Sequence, residues 1–313
     1  MRKWTIIMLA TVMAFGAAAC GSSSKSSNNT STTTTPANVS TTVSTNHAQP
    51  IACDNGQNAY VQDVGQASDF KPVTADTLTV VTSLPGPGFW EGSDSDPTKV
   101  NSGYEFDIAN KMKDAFGLHK LVVRNVSFDA IVAGQVKDYD VSLSQISITC
   151  ERAKVVRFSV PYFFSNQGVL VKKGFDKPLT SVADAQKIKW GVQTSTTAVD
   201  LLNKIKPDSK PLSYGELADG YTALQAGQVE AFLIDTAINL GEAARSKGQL
   251  EVVAQFSQPG GPDQYGAILP KDSTNAGAIN AVFKQLQGSG ELTQLARQDL
   301  TTDPGTLPVI NVG

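Results

Sequence analysis

One stretch of the chain gathers groups suited to an anion. Tyr139-Asp140-Val141-Ser142-Leu143-Ser144-Gln145-Ile146-Ser147-Ile148-Thr149-Cys150-Glu151-Arg152 runs from an apolar strand through a hydroxyl-rich turn to a lone arginine. A strand that stops in a turn exposes backbone N–H groups and short hydroxyls, and an arginine a few residues on adds a bidentate, charge-assisted clamp for a carboxylate. Taken alone, the stretch reads equally well as a strand, a turn and a solvated arginine. A second anion candidate is Ser195 to Thr197, because Thr197-Ala198-Val199-Asp200 is a capping-box-like pattern with aspartate in the place of glutamate. Such a helix start offers free N–H groups and the positive end of the dipole. A plain cap is the alternative. Asp235, at the end of an apolar run, suits an ammonium group or the cap of a following helix.

The elements that must position these groups alternate in type. Leu78 to Thr82, Leu121 to Arg124, Tyr139 to Leu143, Val169 to Lys172, Ile188 to Val192, Ala231 to Ile234, Leu250 to Ala254 and Tyr265 to Leu269 read as strands. Phe106, Ile108, Ala109, Met112, Ala115 and Phe116 recur at helical spacing, with Gly117 where a C-cap belongs. Alternation of this kind predicts an α/β fold with largely parallel sheets. The tetrapeptide Ala-Gly-Gln-Val occurs at positions 133 and 226, each time before a strand whose C-terminal end is polar. Ligands of open α/β sheets bind outside the carboxyl ends of strands, so two such lobes facing each other would form one cleft.

The 313 residues and 41% hydrophobic content suit two domains or one large one. The first fifty residues are different. Arg2 and Lys3 precede the apolar run Trp4 to Ala19, which reads as a secretory signal peptide over residues 1–19 rather than a spanning helix. Ala17-Ala18-Ala19-Cys20-Gly21 resembles the lipobox of bacterial lipoproteins, which implies a diacylated Cys20 at the mature N-terminus. Residues 20–52 then read as a Ser/Thr/Asn tether that cannot bury enough apolar surface to order itself, with a reach of roughly 30 Å. These features place the protein on the outer face of the cell membrane, lipid-anchored. Loss of Arg2 and Lys3 takes the formal charge from −3 to −5, and no basic run points to nucleic acid. With Cys20 lipidated, Cys53 and Cys150 remain, and outside the cytoplasm a leftover pair favours a disulfide over two separate thiols.

The motifs in order resemble family 3 of the bacterial extracellular solute-binding proteins, the amino-acid-binding proteins that feed ABC importers. Gly103-Tyr104-Glu105-Phe106-Asp107-Ile108-Ala109 is similar to the family's GFDxDLA, and Ser147 to Lys154 to its TITPERAK. Phe158-Ser159-Val160-Pro161-Tyr162 is similar to FSxPY, Gly191 to Thr197 to GVQxGTT, and Ala231 to Asp235 to DAVLxD. The resemblance implies the two-lobe periplasmic-binding-protein fold of the Venus flytrap type II, with two hinge strands. Lobe one would take 76–165 and 267–313, and lobe two 170–263. It makes Arg152 the anchor of the ligand's α-carboxylate, with help from Ser147 and Thr196. Asp235 and the backbone near Gln145 would receive the α-ammonium, and Phe89 or Trp90 would cover the ligand's aliphatic part. Ser195 stands where the family has glycine, at a cost in freedom at positive φ. Binders of basic amino acids in the family carry an acid where this chain has Ser83, which argues against lysine, arginine and histidine.

The resemblance therefore implies a monomeric, cofactor-free lipoprotein that delivers a polar amino acid of the Glu, Gln, Asp, Asn group to a permease. A competing class is an enzyme, since the same fold hosts cyclohexadienyl dehydratases. Against it, the chain has only His47 and His119, no G-x-S-x-G and no metal-ligand cluster, although Glu91 and Glu105 remain candidate acids. A third reading is a ligand sensor that does not transport.

Overall fold

The computed structural model describes residues 49–300 and 307–313. The expected signal segment, Cys20 and most of the tether lie outside the described residues. Among the described residues, eleven strands form two sheets. The first has the order β2 (Lys120–Asn125), β1 (Thr77–Thr82), β3 (Val141–Ser142), β10 (Asp263–Pro270), β4 (Val156–Ser165). The second runs β11 (Val309–Asn311), β9 (Leu250–Ser257), β5 (Gln167–Lys172), β8 (Ala231–Asp235), β6 (Trp190–Gln193), β7 (Leu212–Tyr214). Parallel pairing joins β1 to β2 and β3, and β6 to β7 and β8, as the alternating pattern predicts. The strands that carry the chain between lobes pair antiparallel with each other instead, β4 with β10 and β5 with β9, and β10 and β5 also run antiparallel to β3 and β8. The crossings fall at Asn166 and between Ser257 and Asp263.

Residues 309–311 pair with β9 in the second sheet, so the C-terminal segment assigned to lobe one finishes on lobe two. Three residues carry too little pattern to choose a sheet, and the free edge of β9 decides the matter. Three strands escape the sequence reading. The longest, β4, contains Pro161, which pairs with Gly266 at a register irregularity where a missing N–H does no harm. The strand expected over Tyr139 to Leu143 shrinks to two residues. Asp138 before it adopts φ 57°, and the Asp140 carboxylate accepts from Val73 N and Thr79 N, stitching this corner with side-chain bonds.

Helices cover the sheets. The helix α1 (Tyr104–Ala115) buries Tyr104, Glu105, Ile108, Ala109 and Met112 on one face, and Gly117 at φ 68° ends it. Gly103 is required at its start, because a Cβ there would lie 2.5 Å from Phe89 O. The two Ala-Gly-Gln-Val copies close α2 (Phe128–Val132) and α6 (Leu217–Gln225), with Gly134 and Gly227 at φ 67° and 74°. The short helix α3 (Cys150–Ala153) depends on outside support. Thr149 Oγ1 accepts from Arg152 N, and Cys53 is disulfide-bonded to Cys150, 97 residues away. That bond fastens the segment before lobe one to the turn that carries Arg152. The remaining helices are α4 (Val182–Gln186), α5 (Thr197–Ile205), α7 (Thr236–Arg245), α8 (Ala276–Gly288) and α9 (Glu291–Asp299).

Candidate functional site

The carboxyl ends of β1, β3, β6 and β8 face one another across a cleft. Its lining includes Ser83, Ser144, Gln145, Ser147 and Arg152 from lobe one, and Gln193, Thr196, Thr197 and Asp235 from lobe two. Pro85, Phe128, Leu217, Ile234 and Ile238 supply apolar walls. The cavity between these walls is about 20 Å³, room for a water molecule.

Arg152 is the centre of the site. Its side chain is 8% exposed, and its guanidinium donates to Ser147 O at 2.6 Å and to Ser195 O at 2.8 Å. The first carbonyl belongs to lobe one and the second to lobe two. The Phe128 ring lies 5.4 Å from the guanidinium carbon, at cation–π range. Burial pulls the arginine below its ordinary value, opposed by the charges of Asp263, Asp235 and Asp200.

Opposite it, Asp235 ends β8 and begins α7, and it makes no side-chain cap bond. The residue is 4% exposed, and its Oδ1 is buried without a hydrogen-bond partner. Burial pushes the carboxyl well above its ordinary value, and the neighbouring charge of Asp263 pushes it further. A buried acceptor left open costs free energy, so a cationic group that reaches it gains both a hydrogen bond and a counter-charge.

Thr196 is the N-cap of α5, and its hydroxyl donates to Gln193 O at 2.7 Å. The capping box expected from Thr197 and Asp200 does not form. Thr197 Oγ1 donates instead to Asp263 at 2.8 Å, an acid from β10 that also accepts from Gln167 Nε2 at 2.6 Å. The turn before the helix holds Ser195 at φ 58°, the conformation that the sequence marked as costly for serine. It brings Ser195 O to Arg152. Asp263 was missed because its partners lie on β5 and α5, far away in sequence.

Gln145 and Ser147 line the lobe-one wall. Gln145 adopts φ 51°, and both its N–H and its Nε2 donate to Glu105. Phe89 and Trp90 are not in the cleft. Phe89 is sealed in the lobe-one core, edge-on to Tyr104 and Phe163, and Trp90 Nε1 donates to Glu105 at 2.7 Å and Leu143 O at 3.1 Å. Their loop folds back because the N–H groups of Phe89 and Trp90 both reach Gly86 O. Phe128, Leu217, Ile234 and Ile238 line the cleft where those two aromatics were expected. Phe128 gave no sequence signal, since it opens a five-residue helix and reads as core. The candidate acids Glu91 and Glu105 also stay out of the cleft lining, Glu91 on the rim near Arg245 and Glu105 in the core.

Three further contacts span the cleft. Thr194 Oγ1 donates to both oxygens of Asp129 at 3.0 Å, and Arg245 pairs with Asp94 at 2.8 Å. Gly241 lies so near the facing loop that a Cβ would stand 2.6 Å from Pro87 O. Among the described residues, no cluster of three or more His, Cys, Asp or Glu is placed to hold a metal.

Two α/β lobes, crossed twice by the chain and closed on a buried guanidinium and a buried carboxylate, define a cleft-closing ligand-binding protein. Residues 81–300 match the profile of the bacterial extracellular solute-binding proteins, family 3, and the chain belongs to that family. It is 31% identical over 207 residues to the ABC transporter glutamine-binding protein GlnH of Bacillus subtilis, covering 64% of this chain and 74% of that protein. Among solved structures it is similar to an ancestral arginine-binding protein bound to glutamine, at 26% identity and TM-score 0.63, covering 72% of this chain and 98% of the other. It is also similar to the ancestral amino-acid-binding protein AncCDT-1, a precursor of cyclohexadienyl dehydratase. There the identity is 25%, the TM-score 0.61 and the coverage 72% and 96%.

The raised carboxyl of Asp235 predicts proton linkage. An ammonium on Asp235 favours its ionised form, so ligand binding releases a proton wherever the free protein still holds one. That window lies below the raised value of the free protein. Affinity for an amino acid should therefore rise with pH across this window, and calorimetry in buffers of different ionisation enthalpy should detect proton release. Asp235→Asn should abolish both effects. Affinity that stayed flat from pH 4 to 7 would remove Asp235 from the ammonium site.

Proposed function

We propose that this protein captures a polar amino acid outside the cell, by closure of its two lobes, for delivery to an ABC importer. The observation that carries the reading is the placement of Arg152 on α3 and Asp235 at the end of β8, a buried guanidinium and a buried carboxyl on opposite walls of one cleft. They match the carboxylate and ammonium of a zwitterion, and the carboxylate would exchange for Ser195 O or Ser147 O on the guanidinium. Arg152 and Asp235 are the only charged residues in the cleft lining among the described residues. A side-chain carboxylate would need a second cation and a basic side chain a second anion. Within the polar group this favours glutamine and asparagine over glutamate and aspartate, with Ser83, Ser144, Gln145 and Gln193 as hydrogen-bond partners and the apolar wall against the methylenes. The glutamine-binding relative from Bacillus subtilis is consistent with that choice.

A thermal shift scan over the twenty amino acids tests the reading. A ligand at 100 times its Kd stabilises the protein by about 2.7 kcal/mol, which moves the Tm of a chain this size by several degrees. Glutamine or asparagine should give the largest shift, and lysine and arginine none. A flat response to all twenty would sink the proposal.

The second part of the proposal is the tether. A lipid on Cys20 would hold the binding lobes within roughly 30 Å of the membrane, near the permease they serve. Cys20→Ser should move the protein from the membrane fraction to the medium and stop incorporation of labelled fatty acid. Membrane retention of that variant would count against the anchor.

A further inference from the structure

Glu105 is an ionisable residue with no solvent contact at all, and neither the carboxylate nor the ammonium site uses it. It sits at the second position of α1, in the lobe-one core, and four donors converge on it. Its Oε1 accepts from Gln145 N at 2.8 Å and from the Tyr162 hydroxyl, and its Oε2 accepts from Trp90 Nε1 at 2.7 Å and from Gln145 Nε2 at 2.6 Å. A buried carboxylate can accept all four, and burial without them would cost several kcal/mol. Two of the four come from one residue, Gln145, which lines the cleft in a left-handed conformation that a side chain rarely adopts.

We infer that Glu105 is a positioning residue of the ligand site, and that it works by fixing Gln145. It takes the Gln145 N–H and one of the two Nε2 hydrogens, and so holds the main-chain and side-chain carbonyl oxygens of that residue in one orientation for an ammonium group in the cleft. The buried carboxyl thus fixes the strained turn. This rests on the amino-acid-binding reading above, and it adds that recognition of the α-ammonium is shared between Asp235 and a turn held from behind.

The chemistry of an isosteric amide makes the point testable. Three of the four donors are obligate, and only the Tyr162 hydroxyl can reverse. Glutamine at position 105 has a single accepting oxygen. Placed at Oε2 it orphans Gln145 N. Placed at Oε1 it confronts Gln145 Nε2 with an NH2 group, and the Gln145 amide must break away or flip. Either way one of the two bonds that hold Gln145 is lost.

The experiment compares L-glutamine with glutaramic acid, the same molecule without its α-ammonium, by calorimetry on the wild-type protein, Glu105→Gln and Tyr162→Phe. The wild type should prefer glutamine, and that preference should fall about tenfold in Glu105→Gln, the scale of one charge-assisted hydrogen bond. Tyr162→Phe removes a donor from Glu105 without touching Gln145, and should keep the wild-type preference. A purely structural role would weaken both probes equally and leave the preference intact, which overturns the inference. Should Glu105→Gln fail to fold, Gln145→Gly suits the left-handed turn and removes the side-chain bond. An unchanged preference there is equally fatal. Hydrogen exchange of the Gln145 amide in ligand-free protein separates this claim from the function. A wild type that binds neither probe argues against the amino-acid reading, whereas a Gln145 amide that exchanges as fast in the wild type as in Glu105→Gln argues against Glu105.

Discussion

The guanidinium of Arg152, buried and bridged between Ser147 O and Ser195 O, is the contact on which the rest of the arrangement depends. An ion removed from water costs several kcal/mol unless hydrogen bonds and charges replace its solvent. Two carbonyls, the Phe128 face and the charges of Asp263, Asp235 and Asp200 supply that replacement. Because one carbonyl comes from each lobe, the same group that suits a ligand carboxylate also ties the lobes together.

Two devices hold the bridge in place, one on each lobe. Arg152 rides on a four-residue helix that would not persist alone. The Thr149 cap and the disulfide from Cys53 give it a fixed base. On the other lobe, Ser195 accepts a left-handed backbone so that its carbonyl meets the arginine, and Asp263 holds the adjoining helix start through Thr197. The outer contacts, Asp129 with Thr194 and Arg245 with Asp94, are more exposed and correspondingly weaker. They suit a rim that opens and closes around a strong centre.

Much of this was legible in the sequence, and what was missed has physical causes. The strands of alternating β-α pattern were readable because burial on both faces leaves unbroken apolar runs, as in Ala231 to Ile234. The repeated Ala-Gly-Gln-Val was readable because a left-handed C′ residue calls for glycine. Arg152, Asp235 and Thr196 do converge on one cleft with Ser147 and Gln145. Phe89 and Trp90 misled because a loop rich in glycine and proline looks exposed, whereas two N–H bonds to Gly86 O turn both rings inward. Glu105 and Asp263 were invisible as site supports, since their partners are far away in sequence and only the fold brings them together.

The central claim is that Arg152 meets the ligand's α-carboxylate. Calorimetry of L-glutamine and its α-carboxamide, on the wild type and on Arg152→Ala, tests it directly. The wild type should prefer the free carboxylate by about 2–5 kcal/mol, and the variant should lose that preference. Equal binding of both compounds by the wild type, or an unchanged preference in Arg152→Ala, would contradict the account.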